Sequence, residues 1–132
     1  MTFSKQMVET KEKLEKLGHI VLLPPDVEDH LNNSDLIDDL ETDLRHCLET
    51  DILRKSFNQI EDVDAILVLN LPKNNVTGYV GTSTLMEMGL AYHFGKKLFL
   101  LNKTPKSSEA RWAHEIDVMQ PVILDGDFSK IK

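Results

Sequence analysis

Cysteine is nearly absent from this sequence. Cys47 stands alone, so no disulfide can form within the chain, and no Cys/His grouping has the spacing of a zinc site. A reducing compartment without structural metal is the expectation. Long hydrophobic runs are missing as well: nothing approaches the ~18 residues of a membrane span, and the N-terminus lacks a signal-peptide core. The reading is a cytoplasmic chain with no membrane partner. Dense clusters of Lys or Arg are also missing. With 22 acidic against 15 basic side chains the formal charge is −7. Such a surface repels the phosphate backbone that drives nucleic-acid binding, so no polynucleotide partner is expected.

What is present suffices for one core. At 132 residues and 41% hydrophobic the chain is long enough for a single domain, 1–132, and too short for two. Phe3, Met7, Leu14 and Leu17 recur at helical spacing and Gly18 follows as a stop, which predicts an amphipathic helix over residues 4–17. The run "HIVLLPP", closed by Pro24 and Pro25, reads as a strand buried on both faces.

From Ser34, a candidate N-cap, Leu36, Leu40, Leu44, Cys47 or Leu48, Ile52, Phe57 and Ile60 keep a helical period. That is long for one globular helix, so a bend or break near Thr50-Asp51 is one expectation and an extension toward a partner subunit the other. The acidic "DDLETD" reads as a solvated face. "DAILVLNL" (64–71), "KKLFLLN" (96–102) and "QPVILDG" (120–126) read as three further strands, with a short helix near 109–118 before the last. Strands alternating with helices define an α/β class: a mostly parallel sheet of four to five strands, doubly wound, with helices on both faces. Ligands of such sheets bind beyond the carboxyl ends of the strands, where the loop "NLPKNNVTGYVGTST" falls.

That loop feeds "TLMEMGLAYHFGKK". Thr84-Leu-Met-Glu87 fits a capping box, with Glu87 reaching back to the cap amide. Leu85, Met88, Ala91 and Tyr92 would then form the buried stripe, Gly89 a close-packing site, Gly95 the C-terminal stop, and Lys96 and Lys97 charges favourable to the helix dipole. The same geometry supports a second reading. A helix start behind glycines offers amides to an anion, Thr82, Ser83 and Thr84 add hydroxyls, and a carboxylate just inside the helix could attack an anomeric carbon.

The segments "DVDAILVLN" and "GYVGTSTLMEMGLAYHFGKKLFLLN" resemble the nucleoside 2-deoxyribosyltransferase-like superfamily, through Asp64, Ser83, Thr84, Glu87, Gly89, Ala91 and Lys97. The likeness extends more loosely over most of the chain. It implies a Rossmann-like fold and a homodimer or larger assembly. It also implies a nucleoside or nucleoside 5′-monophosphate substrate, with Glu87 as nucleophile on the ribose C1′. Ser83 and Thr84 would sit where relatives bind a sugar hydroxyl or a 5′-phosphate. The chemistry requires no cofactor and no metal. The family's first strand and its glycine/aromatic turn precede a helix like 4–17, and "MTFSKQM" matches the tail of that turn, so the first strand is expected to be missing.

Beside this stand further candidates. Asp51 is read as a second catalytic carboxylate or a solvated acid, Asn70 as a ligand-orienting residue or a strand-end cap. Tyr79 could stack on a base or cover the loop, and Gly81 and Thr82 complete the substrate turn. Asn74 and Asn75 read as turn residues; Trp112 and Arg111 as interface or local core. The alternative function is a catalytically inactive nucleotide-binding or structural homologue. It is motivated by Gly81, which stands where the family's transferases carry an acid six positions before the Glu.

Overall fold

A computed structural model describes residues 3–25, 27 and 40–132. The chain divides into two compact units, Met1–Asn58 and Gln59–Lys132.

In the first unit, α1 spans Ser4–Lys16. It ends as the sequence dictates. Gly18 adopts φ 95, its N–H bonds Glu15 O, and His19 N–H bonds Leu14 O at 3.2 Å, the paired closure that a left-handed glycine permits. The apolar run that follows forms no strand. Residues 19–24 carry no ladder, and Ile20 is 96% exposed. An apolar stretch becomes a strand only when a neighbouring strand accepts its backbone hydrogen bonds, and among the described residues none does.

The expected long helix is two: α2, Leu40–Thr50, and α3, Ile52–Asp62, separated by Asp51 at φ 51. Left-handed backbone costs least for Gly, Asn and Asp among the residues, so the aspartate is where the helix can break. Lys55 N–H bonds Asp51 O as α3 begins. Leu40, Leu44 and Leu48 are exposed along α2. The candidate cap Ser34, Leu36 and the first two acids of "DDLETD" lie outside the described residues.

The second unit holds the sheet. Strands β1 (Ala65–Val68), β2 (Lys97–Leu100) and β3 (Val122–Ile123) are all parallel, in the order β1-β2-β3. Ala65 pairs with Lys97 and Val68 with Leu100; Phe99 pairs with Val122. The crossovers contain α4, Thr82–His93, and α5, Arg111–Met119. Both steps move the same way across the sheet. Right-handed crossovers of equal direction put their helices on one face, and α4 packs against β1, β2 and α5. Three parallel strands, rather than four to five, are present among the described residues.

Their core is Val68, Val80, Met88, Leu100 and Ile116, flanked by Ile66, Leu85, Trp112, Met119 and Ile123. Each fully buried aliphatic side chain here contributes about 1.5–3 kcal/mol. α4 closes on Gly95, φ 71, with Gly95 N–H to Tyr92 O and Lys96 N–H to Ala91 O. Lys96 Nζ bonds the Glu61 carbonyl at 2.9 Å, so its charge serves the last turn of α3 rather than of α4, and Lys97 Nζ reaches Lys132 O. A single 3-10 turn, Phe128–Lys130, is capped by Asp127, whose Oδ1 accepts from Ser129 N–H and Ser129 Oγ–H. These bonds, the hydroxyl's first, hold the Asp127 carboxyl below its usual value.

Candidate functional site

The loop between β1 and α4 is built at the carboxyl ends of the strands and is pinned at four points. Asn70, 1% exposed, ends β1. Its Nδ2–H donates to Asn102 O at 2.6 Å, its Oδ1 accepts from Asn102 N–H at 2.8 Å, and Asn102 Nδ2–H donates to Asn70 O at 3.3 Å. Asn70 is thus engaged with the chain end of β2. Next, Lys73 and Val76 bond reciprocally around Asn74 (φ 53) and Asn75 (φ 63). Two positive φ values in a two-residue loop define the primed turn that asparagine favours.

The third pin is Gly78, at φ 74. A Cβ there would overlap the Lys103 carbonyl, so only glycine lets this loop lie on the loop that follows β2. The fourth is Tyr79, half-buried, whose ring meets Trp112 edge-on at 6.0 Å while Lys73 Nζ sits 5.6 Å from its centroid. Trp112 packs against the core as well, which gives it a local role within this unit.

The loop delivers the chain into α4 at Gly81, φ −75 and ψ 165. Leu85 N–H bonds Gly81 O at 2.9 Å, and no side chain caps the helix. The capping box is therefore not formed. The helix starts at Thr82, two residues before the expected cap, so Thr84 is already inside it and its hydroxyl cannot play the N-cap part. With Gly81 as cap, the first-turn amides lack an intrahelical acceptor, which is the usual state of a helix start.

Glu87 lies in the second turn, three residues after Thr84 and four after Ser83, so the three share one side of the helix. Glu87 and Thr84 are half-buried, at the margin of the face that Met88 and Ala91 bury fully; Thr82 and Ser83 are exposed. Two expectations for this helix fail. Tyr92 is 54% exposed, because its position falls on the far flank from Ala91. Gly89 has no atom within 4 Å of a Cβ built on it and packs against nothing.

The second unit thus brings together Asn70, Tyr79, Gly81, Thr82, Ser83, Thr84 and Glu87 on one loop and helix start. Asp51 belongs to the first unit, where its carboxylate pairs with Arg54 Nε at 2.9 Å on an exposed surface. Asn102, Gly78 and the Tyr79–Trp112 contact were not singled out by sequence; only the Thr-Gly step hinted at Gly78, and nothing local marked Asn102. Among the described residues no three His, Cys, Asp or Glu side chains converge as a metal would need, and no helix is long and apolar enough to cross a membrane.

The chain matches no family model, no curated protein and no solved structure. The class established by the fold alone is α/β, with three parallel strands in an open sheet and helices packed beside it.

Proposed function

We propose that this chain is an N-ribosyl hydrolase or (deoxy)ribosyltransferase acting on nucleosides or nucleoside 5′-monophosphates, on a Rossmann-like sheet of the doubly wound kind. One observation carries the reading: Ser83, Thr84 and Glu87 share a side of α4 directly behind a loop that ends on Gly81, at the carboxyl ends of parallel strands. The likeness of this loop and helix to the nucleoside 2-deoxyribosyltransferase-like superfamily supports it.

In this reading the Glu87 carboxylate attacks C1′. A C1′–O bond forms as the C1′–N bond breaks, and the base leaves with the electron pair and takes up a proton. Water or a second base then attacks C1′ and frees Glu87, so configuration is retained through two displacements. The first-turn amides, with Thr82, Ser83 and Thr84, would hold the sugar hydroxyls or a 5′-phosphate. Tyr79 and Gly81 would border the sugar and base, and Asn70 would fix the loop. Chromatographic detection of free base from a nucleoside and nucleotide panel tests this, with release expected from the wild type and abolished in Glu87→Gln.

Binding without turnover is the alternative, favoured by Gly81 at the cap, which leaves no acid six positions before Glu87. Saturable nucleotide binding with no base release would establish it.

A further inference from the structure

Across residues 65–87, from the start of β1 into α4, the only charged side chains are Lys73 and Glu87, in a chain that is 28% charged. Lys73 is half-buried, although lysine is among the side chains least often taken out of water. Its Nζ sits 5.6 Å from the centroid of the Tyr79 ring, within the range at which an ammonium is attracted to an aromatic face. The ring is held in turn: Trp112 meets it edge-on at 6.0 Å, and a Cβ built on Gly81 would lie 3.8 Å from Tyr79 Cε1. Lys73 is also fixed by its main chain, through the reciprocal bonds with Val76. The ammonium is therefore anchored at both ends, beside the ring that touches the cap of α4. The turn itself does not need the charge, because backbone bonds and the positive φ values of Asn74 and Asn75 make it. An uncharged side chain of equal length would cover Tyr79 as well with its stem.

We propose that Lys73 meets the negative charge that develops on the leaving base, a catalytic role that rests on the glycosyl-transfer reading of Glu87. As the C1′–N bond breaks, its electron pair moves onto the base, and the residue at the cap of α4 is Gly81, which has no acid to protonate it. The Lys73 ammonium brings three donors and a fixed charge to the base side of the site, since the ring it rests on is the one that borders the base. The 5′-phosphate has donors of its own in the first-turn amides and hydroxyls. No proton leaves Lys73. The base departs as an anion paired with the ammonium and takes its proton from water; the water or second base that attacks C1′ sheds one proton, which balances it. The substrates favoured are oxo-purine and oxo-pyrimidine nucleosides, whose bases delocalise the charge onto carbonyl oxygens. A chain of net charge −7 repels free anions, so any preference for an anionic base has to come from a local cation.

Calorimetric titration of the full chain with two pairs of free bases tests it: urate against hypoxanthine, and 5-nitrouracil against uracil, the first of each pair being an anion at neutral pH. The wild type is expected to bind the anion at least tenfold tighter than the neutral base in one pair or both. Lys73→Arg should keep that preference and Lys73→Met lose it, with the circular dichroism unchanged in both. In turnover, Lys73→Met should slow base release from guanosine at least tenfold and leave 7-methylguanosine, whose base departs neutral, unaffected. Anion and neutral base bound alike in both pairs by the wild type, or an anion preference that survives in Lys73→Met, would overturn the proposal, as would equal slowing of the two nucleosides. An anion preference that needs Lys73, in a wild type that releases no base, would support the Lys73 contact and overturn the reading of Glu87 instead.

Discussion

Asn70 and Asn102 tie the carboxyl ends of β1 and β2 together through three hydrogen bonds, two of them to backbone groups from the Asn70 amide. With Asn70 buried, the pair fixes where the β1–α4 loop leaves the sheet and hence where α4 begins. Asn70→Ala strips the Asn102 N–H and carbonyl of their partners. The expected loss is roughly 1–3 kcal/mol, read from urea unfolding. Asn70→Asp keeps the acceptor but sets a carboxylate oxygen against Asn102 O in a buried site, and should cost at least as much as Asn70→Ala.

Gly78 is the least replaceable residue of the loop. Its positive φ and the Lys103 carbonyl against its Cα leave no room for a methyl group. Gly78→Ala should cost more than the ~1 kcal/mol of a strained turn alone, seen as a lowered thermal midpoint. An unchanged midpoint would mean that this loop is not seated on the β2 loop.

Leu100 lies at the centre of the three-stranded core and is fully buried. Leu100→Ala should destabilise the chain by about 2–5 kcal/mol. Val122→Ala, at the exposed edge strand, should cost far less in the same denaturation series.

Asp127 provides a pH signature. Its carboxyl is held below the usual value of 3.8 by the Ser129 hydroxyl and amide. A depressed folded-state pKa stabilises the fold above the unfolded value and loses that contribution as pH falls through the folded one. Ser129→Ala removes the larger of the two bonds. Its stability should therefore decline less steeply than the wild type's below about pH 4, in a series of unfolding curves on the acid side.

Asp51 marks the break between α2 and α3. Asp51→Asn tolerates the left-handed φ and gives up only an exposed pair with Arg54, worth roughly 0–1 kcal/mol. The variant is expected to stay folded, with an unfolding midpoint close to the wild type's, whereas Asp51→Val, which tolerates the left-handed φ poorly, should lower it.

How far the sequence could be read follows from how local each determinant is. Gly18 and Gly95 ended their helices as expected, Asn74-Asn75 turned the chain, and Asp51 broke the long helix, because each acts through its own φ. "DAILVLNL" and "KKLFLLN" became adjacent parallel strands, trimmed at their ends. "HIVLLPP" has equal apolar character and formed no ladder, since pairing depends on a neighbour that composition cannot supply. The Thr84–Glu87 pattern was sound in spacing but displaced by a helix start two residues earlier. Asn102 could not have been found, because its importance comes from Asn70, thirty-two positions away.

The central claim is that Glu87 becomes covalently bonded to the sugar. Intact mass and peptide mapping, after incubation with 2′-fluoro-arabino nucleosides and their 5′-monophosphates, test it most directly, because fluorine beside C1′ slows release of a glycosyl-enzyme ester. The account predicts a single glycosyl adduct on the peptide containing Glu87, absent in Glu87→Gln. A chain that releases base without such an adduct, or that carries the adduct on another residue, would contradict it.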